Sequence, residues 1–190
     1  MAGPQGDEGD RSRRKLQAFR SFFVLSKTWS LWNISIEAKG GETPIKVRPW
    51  AEFASTLPSD QIDSEDEMDI LQYPGKLLSE TLAEILKGLD YEIIELICLH
   101  ERGWELHIRD GPKGRSAFGI RVTQIEKYLI VLFQTSWFRT TFAPRHPDLV
   151  AVLTQLAEAM ASDARFIDVC WFASEDVLSG IPGALRPIEP

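Results

Sequence analysis

The most enzyme-like pair of side chains is Glu37 and Lys39, which follow a short apolar run in the N-terminal part of the chain. A strand that ends in Glu-x-Lys can place a carboxylate ligand for Mg²⁺ beside a lysine that stabilises charge at a phosphate, as in metal-dependent nucleases. Such a site needs a second carboxylate on a strand shortly upstream, and the only earlier ones lie within residues 1–10. We therefore favour an exposed strand end here and keep a metal-dependent, nuclease-like enzyme as an alternative hypothesis.

Other catalytic, metal and nucleotide motifs are not found. The chain has no H-E-x-x-H, C-x-x-C, G-x-S-x-G or glycine-rich phosphate-loop motif. The stretch 111–115 lies between two predicted strands, which favours a hairpin turn because a phosphate loop normally leads into a helix. Structural roles are therefore expected for the remaining candidate ligands, and the sequence predicts no catalytic residue, metal ligand or cofactor. Those candidates are His100, Glu101, His107, Asp110 and His146.

Two stretches are typical of protein-binding surfaces. An acidic run without a basic residue can steer and dock a basic partner, and Trp and Arg are enriched among the residues that dominate interface energetics. The alternatives are a solvated loop for the first stretch and packing at the core edge for the second. The acidic residues are Asp63, Glu65, Asp66, Glu67 and Asp69, and the aromatic stretch is Trp137-Phe138-Arg139.

The net charge also restricts the partner. The chain has 21 Lys+Arg and 28 Asp+Glu, which gives −7 at pH 7. This charge argues against a nucleic-acid binder, whose affinity comes from neutralising phosphates, and favours a basic protein partner. The hydrophobic content of 44% and the charged content of 26% are those of an ordinary globular protein.

The apolar segments indicate a cytoplasmic protein that does not bind membranes. No run approaches the roughly 20 apolar residues of a membrane span, and the start lacks the apolar core of a secretory signal. Cys98 and Cys170 lie in apolar runs and are expected to be structural thiols. The basic and aromatic stretch 11–27 leaves a further hypothesis open, in which an apolar face at 19–25 packs into a homo-oligomer.

Hydrophobic periodicity predicts the elements that must position these residues. Apolar residues at intervals of three to four predict a helix between Leu77 and Gly88 and a second helix that begins at Pro147. A short helix is predicted to begin at Pro49 and to end before Pro58. Strands are predicted over 28–37, 91–99, 104–109, 115–123, 127–135 and 166–173, with 45–48 as a partner of the first. The residues expected to be largely buried are Leu82, Ile85, Trp104, Leu153, Leu156 and Trp171.

These elements predict an α+β fold, in which an antiparallel sheet carries helices packed on one face as a two-layer sandwich. Residues 1–10 are predicted to be a disordered tip and 11–190 a single domain. Within that domain we distinguish an N-terminal lobe (11–58), an acidic loop (59–70), a main body (71–175) and a tail (176–190).

Three blocks resemble a family of small uncharacterised bacterial proteins over about residues 70–173. They are Tyr73-Pro74-Gly75 with the leucine-rich helix, Gly103-Trp104-Glu105-Leu106, and the late segment from Asp163 to Trp171. The resemblance implies a structural pattern with no catalytic residues to carry over. The architecture and acidity are also similar, as a class, to those of immunity proteins that neutralise bacterial toxins.

The first hypothesis is therefore a non-enzymatic protein-binding module, immunity-like, that docks a basic protein through an acidic and aromatic surface. The alternatives are the nuclease-like enzyme with Glu37 and Lys39 and a structural or assembly subunit.

Overall fold

The structure, a computed structural model, describes residues 45–64, 70–111, 116–124, 126–135, 147–173 and 176–189. The strands are β1 (Lys46–Val47), β2 (Trp50–Ser55), β3 (Ile62–Asp63), β4 (Ile70–Gln72), β5 (Glu92–Cys98), β6 (Trp104–Arg109), β7 (Ala117–Gln124), β8 (Tyr128–Gln134), β9 (Phe166–Phe172) and β10 (Ile188–Glu189). The helices are α1 (Lys76–Gly88), α2 (Pro147–Ser162) and the short α3 (Asp176–Ser179).

A six-stranded sheet in the order β5-β6-β7-β8-β2-β9 forms the centre of the described part, and its neighbouring strands are all antiparallel. Helix α1 packs on β5 and β6, α2 packs on β8 and β9, and the two helices contact each other. The predicted fold class is therefore confirmed as an α+β fold with two helices against an antiparallel sheet. β1 pairs with β10, and β3 pairs with β4.

The hydrophobic core lies between the two helices and the sheet. Alternation along β6 sends Leu106 and Ile108 into this core, whereas Glu105 and His107 point to the opposite face. Four of the residues predicted to be buried are confirmed in the core, and two are only half-buried at its margin. The buried residues are Leu82, Leu153, Leu156 and Trp171, and the half-buried ones are Ile85 and Trp104.

The helix predicted from Pro49 is wrong, because residues 50–55 form the strand β2 between β8 and β9. Ala51 and Phe53 belong to the core, while Trp50 is buried on the other face and lies opposite Val131 of β8. A strand that is buried on both faces loses the alternation of apolar and polar residues. Its apolar residues at 50, 53 and 54 then match helical spacing by chance.

The remaining element predictions agree with the structure to within two residues at most ends, with two exceptions. Residues 45–48 pair with the C-terminal strand β10 rather than with an upstream strand. The acidic loop 59–70 contains β3 and leads into β4, so its ends form a short hairpin. The predictions for 1–10, for 11–27, for the strand 28–37 and for the turn residues 112–115 lie outside the described residues. The division into tip, lobe, body and tail stays a prediction.

Candidate functional site

The hairpin formed by β3 and β4, with the connecting residues 64–69, is hereafter called the acidic hairpin. Its base is fixed to the start of α1 by Asp60, whose two carboxylate oxygens accept hydrogen bonds from the backbone N–H groups of Gly75 at 2.8 Å and Leu77 at 2.5 Å. The side chain of Gln72 also donates to the carbonyl of Asp60 at 2.6 Å. Two hydrogen bonds of Asp60 therefore attach the hairpin to the start of α1, and the third joins the two sides of the hairpin at its base.

Asp60 supplies the hydrogen-bond acceptor that the residues at the start of α1 lack. The N-cap position of α1 is Gly75, which has a left-handed φ of 98° and no side chain to accept a hydrogen bond. The first turn of α1 contains no acidic residue. A carboxylate is the favoured acceptor at a helix N-terminus, because it pairs with open N–H groups and with the positive end of the helix dipole.

The described residues of the acidic hairpin expose apolar side chains to solvent. Leu71 is 70% exposed, Ile62 50% and Ile70 40%. The carboxylate of Asp63 is exposed on the same hairpin and accepts a hydrogen bond from the side chain of Gln61 at 2.7 Å. Exposed aliphatic side chains beside a carboxylate form the mixed apolar and charged surface that protein interfaces use.

Of the predicted binding residues, Asp63 alone lies in the described part of the chain. It sits on β3 opposite Ile70 of β4 and is exposed to solvent, and its role in binding stays a prediction. The others lie outside the described residues, as do Glu37 and Lys39 of the enzyme hypothesis, so these assignments stay predictions. They are Glu65, Asp66, Glu67, Asp69, Trp137, Phe138 and Arg139.

A second polar cluster occupies the sheet face opposite the helices. Arg121 donates from Nε and Nη2 to one oxygen of Glu105, at 3.0 and 2.7 Å. The imidazole of His107 lies 2.7 Å from the other oxygen of Glu105 and 3.0 Å from Glu95. Burial raises the pKa of Glu105, but the hydrogen bonds and charges of His107 and Arg121 outweigh it, so the pKa lies below its ordinary value. Every group of this cluster has a partner within it, as expected of a polar network that ties β5, β6 and β7 together.

Two of the three blocks that carry the resemblance, Tyr73-Pro74-Gly75 and Gly103-Trp104, meet at one end of the sheet, whereas the third lies at its β9 edge. The indole of Trp104 donates to the carbonyl of Tyr73 at 2.9 Å, and a Cβ at Gly75 would contact Val122 and Trp104. Gly103 has a positive φ of 84°, and a Cβ there would lie 2.1 Å from the carbonyl oxygen of Val122. These contacts agree with a structural role for the Pro-Gly and Gly-Trp pairs.

The described residues give no indication of a metal centre. Among them no group of three or more His, Cys, Asp or Glu side chains is arranged to hold an ion. Cys98 on β5 and Cys170 on β9 belong to opposite edge strands of the sheet, and neither forms a disulfide. Within the same ranges no helix combines the length and the apolar character that crossing a membrane requires.

Sequence reasoning found the acidic character of the hairpin but missed its apolar side chains and its anchor. Ile62, Ile70 and Leu71 flank the acidic run directly, so their position in the sequence was a readable signal. The capping role of Asp60 had no such signal, because its partners follow it by 15 and 17 positions. Comparison with protein-family models, curated proteins and solved structures finds no match to this chain.

Proposed function

We propose that the protein is a non-enzymatic protein-binding module that docks a basic protein partner through the acidic hairpin. The observation that supports the proposal most directly is the exposure of Ile62, Ile70 and Leu71 beside the carboxylate of Asp63 on a hairpin whose base is anchored. Exposed apolar side chains that form a contiguous patch commonly mark an interaction site in a soluble protein.

The apolar side chains would supply affinity. Complete removal of a Leu or Ile side chain from water contributes roughly 1.5–3 kcal/mol, and the partly exposed side chains of the hairpin would contribute a fraction of that. Binding also has an entropic cost for each segment that must be ordered. The hydrogen bonds of Asp60 already hold the hairpin base, which lowers this cost.

The carboxylates would supply selectivity and a high association rate. The segment 60–69 has six acidic residues and no Lys or Arg, so it presents a strongly negative potential to an approaching protein. Such a potential accelerates encounter with a basic surface and repels an acidic one, and salt weakens it. This charge supports a partner with a basic contact surface.

The test separates these two contributions by binding kinetics at two salt concentrations, with a partner recovered by the full-length protein. Replacing Asp63, Glu65, Asp66, Glu67 and Asp69 by their amides together should slow association several-fold and flatten its salt dependence, with little change in dissociation. The double variant Ile62→Ser and Leu71→Ser should accelerate dissociation at least tenfold, because it removes apolar contacts that the bound partner would bury.

The matched control is Leu185→Ser, which removes a side chain that is 87% exposed outside the hairpin. It should bind with wild-type kinetics. The proposal is overturned if both hairpin variants stay folded and bind like the wild type, or if the recovered partner is acidic at the contact. Truncating Trp137 in the same assay tests the aromatic stretch, where faster release is expected.

A further inference from the structure

Strand β5 forms one edge of the six-stranded sheet, and the two edges differ. At the other edge the backbone of Trp171 on β9 exchanges two hydrogen bonds with Ala184, at 2.7 and 2.8 Å. Strand β5 pairs on its inner side with β6, and no strand of the described residues pairs with its outer side. An unpaired edge presents a row of backbone N–H and C=O groups that can accept a further strand.

Side chains of β5 contact β6, while apolar and acidic side chains of β5 remain partly exposed. Glu92 forms an ion pair with Arg109, and Glu95 lies 3.0 Å from the imidazole of His107, so two side-chain contacts join β5 to β6. The pairing register shifts between Ile93 and Glu95, and Ile94 at this bulge is 43% exposed. About half of each glutamate side chain remains exposed, at 43% for Glu92 and 51% for Glu95.

Two occupants of this edge are compared by charge: a second copy of β5 and a basic strand of another protein. The segment 76–98, which comprises α1 and β5, has five acidic residues against two lysines. Antiparallel pairing of β5 with the same strand of a second copy would bring glutamates of both copies to nearby positions, which is destabilising. A strand that carries Lys or Arg at alternate positions would instead place cations beside Glu92 and Glu95. Charged edge residues and a bulge are the features that prevent uncontrolled edge-to-edge association, and they do not exclude a complementary strand.

We propose that the outer edge of β5 accepts an extended, basic segment of another protein as a seventh strand of the sheet. This surface is distinct from the acidic hairpin, since it uses backbone hydrogen bonds of an edge strand. Main-chain pairing supplies affinity in this mode, and the alternate side chains of the added strand supply selectivity.

The experiment uses the full-length protein and three synthetic seven-residue probes. The first alternates Lys and Val, the second alternates Glu and Val, and the third is the Lys-Val peptide with alternate backbone amides methylated. The Lys-Val probe should slow hydrogen exchange of outward-facing β5 amides more than tenfold. The Glu-Val probe should not bind, and the methylated probe should lose at least tenfold in affinity. Equal binding of the methylated probe, or no protection in β5, overturns the proposal.

Two variants locate the binding and separate it from the hairpin. Ile94→Lys should weaken binding of the Lys-Val probe at least tenfold by repulsion, whereas Leu71→Lys on the acidic hairpin should leave β5 protection unchanged. The opposite result would place the probe on the hairpin, which would overturn this proposal and support the proposed function. If Ile94→Lys fails to fold, the comparison of the methylated and unmethylated probes on the wild type still decides.

Discussion

The carboxylate of Asp60 caps a helix whose N-cap residue follows it by fifteen positions, because its Oδ1 accepts the backbone N–H of Gly75 at 2.8 Å. The second oxygen accepts the N–H of Leu77. The cap is therefore a tertiary contact, and it joins the acidic hairpin to the body of the protein. Loss of this carboxylate should weaken both the helix start and the hairpin base.

Asp60→Ala should lower the free energy of unfolding by about 1–2 kcal/mol, the usual cost of removing a helix cap. Chemical denaturation measures this change, and hydrogen exchange of Gly75 and Leu77 should accelerate in the same variant. Asp63→Ala is the matched control, because Asp63 is exposed and accepts its hydrogen bond from nearby Gln61. Equal stabilities of the two variants would contradict the capping role.

Glu105 should make the protein sensitive to acid. Its pKa is lower in the folded protein than its ordinary value of 4.5, because the contacts with His107 and Arg121 outweigh the effect of burial. The unfolded chain therefore takes up a proton first, and the stabilisation present at higher pH is lost as pH falls below about 4.5 through the folded pKa.

Denaturation curves between pH 6 and pH 3 test this relationship; these limits span roughly the range in which a carboxyl group titrates. Glu105→Gln should be less stable near neutral pH and should lose less stability on acidification than the wild type. Glu80→Gln is the control, since Glu80 pairs with Lys76 on the helix surface. A Glu105→Gln variant with the same pH slope as the wild type would show that the network does not govern acid sensitivity.

Leu153 is fully buried on the face of α2 that packs against the sheet. Leu153→Ala should lower the free energy of unfolding by roughly 2–5 kcal/mol, because the removed methyl groups leave a cavity. Leu185→Ala changes the same residue type at an 87% exposed position and should have a small effect. Thermal unfolding of the two variants side by side measures the difference. Equal midpoints would mean that Leu153 does not lie on the buried face of α2.

Gly103 and Gly88 form a matched pair for the same substitution. Gly103→Ala combines a positive φ with a Cβ 2.1 Å from a carbonyl oxygen, so it should lower the free energy of unfolding by about 1–3 kcal/mol or more. At Gly88, the last residue of α1, a Cβ meets nothing within 4 Å. Gly88→Ala should therefore be neutral or stabilising by roughly 0.5–1 kcal/mol. Urea denaturation distinguishes the two, and a stable Gly103→Ala would contradict the close approach to Val122.

The amphipathic elements could be predicted because their signal is local. The spacing of Leu78, Leu82 and Leu86 predicts α1, and the apolar face of α2 follows in the same way. The four strands β5 to β8 follow from apolar runs separated by short turns, and short turns force antiparallel neighbours. The α+β class and the buried positions of Leu153 and Trp171 were therefore within reach of the sequence.

Only the tertiary structure decided the place of β2 and the arrangement of the candidate surfaces. Residues 50–55 could not be recognised as a central strand, because burial on both faces removes alternation, and their partners β8 and β9 lie far along the chain. The cap by Asp60, the contacts of Glu105 and the position of β5 at an edge of the described sheet likewise depend on which segments meet in space. Local periodicity reports which side of an element is apolar, whereas the partner of that side is chosen by packing of the whole sheet and helices.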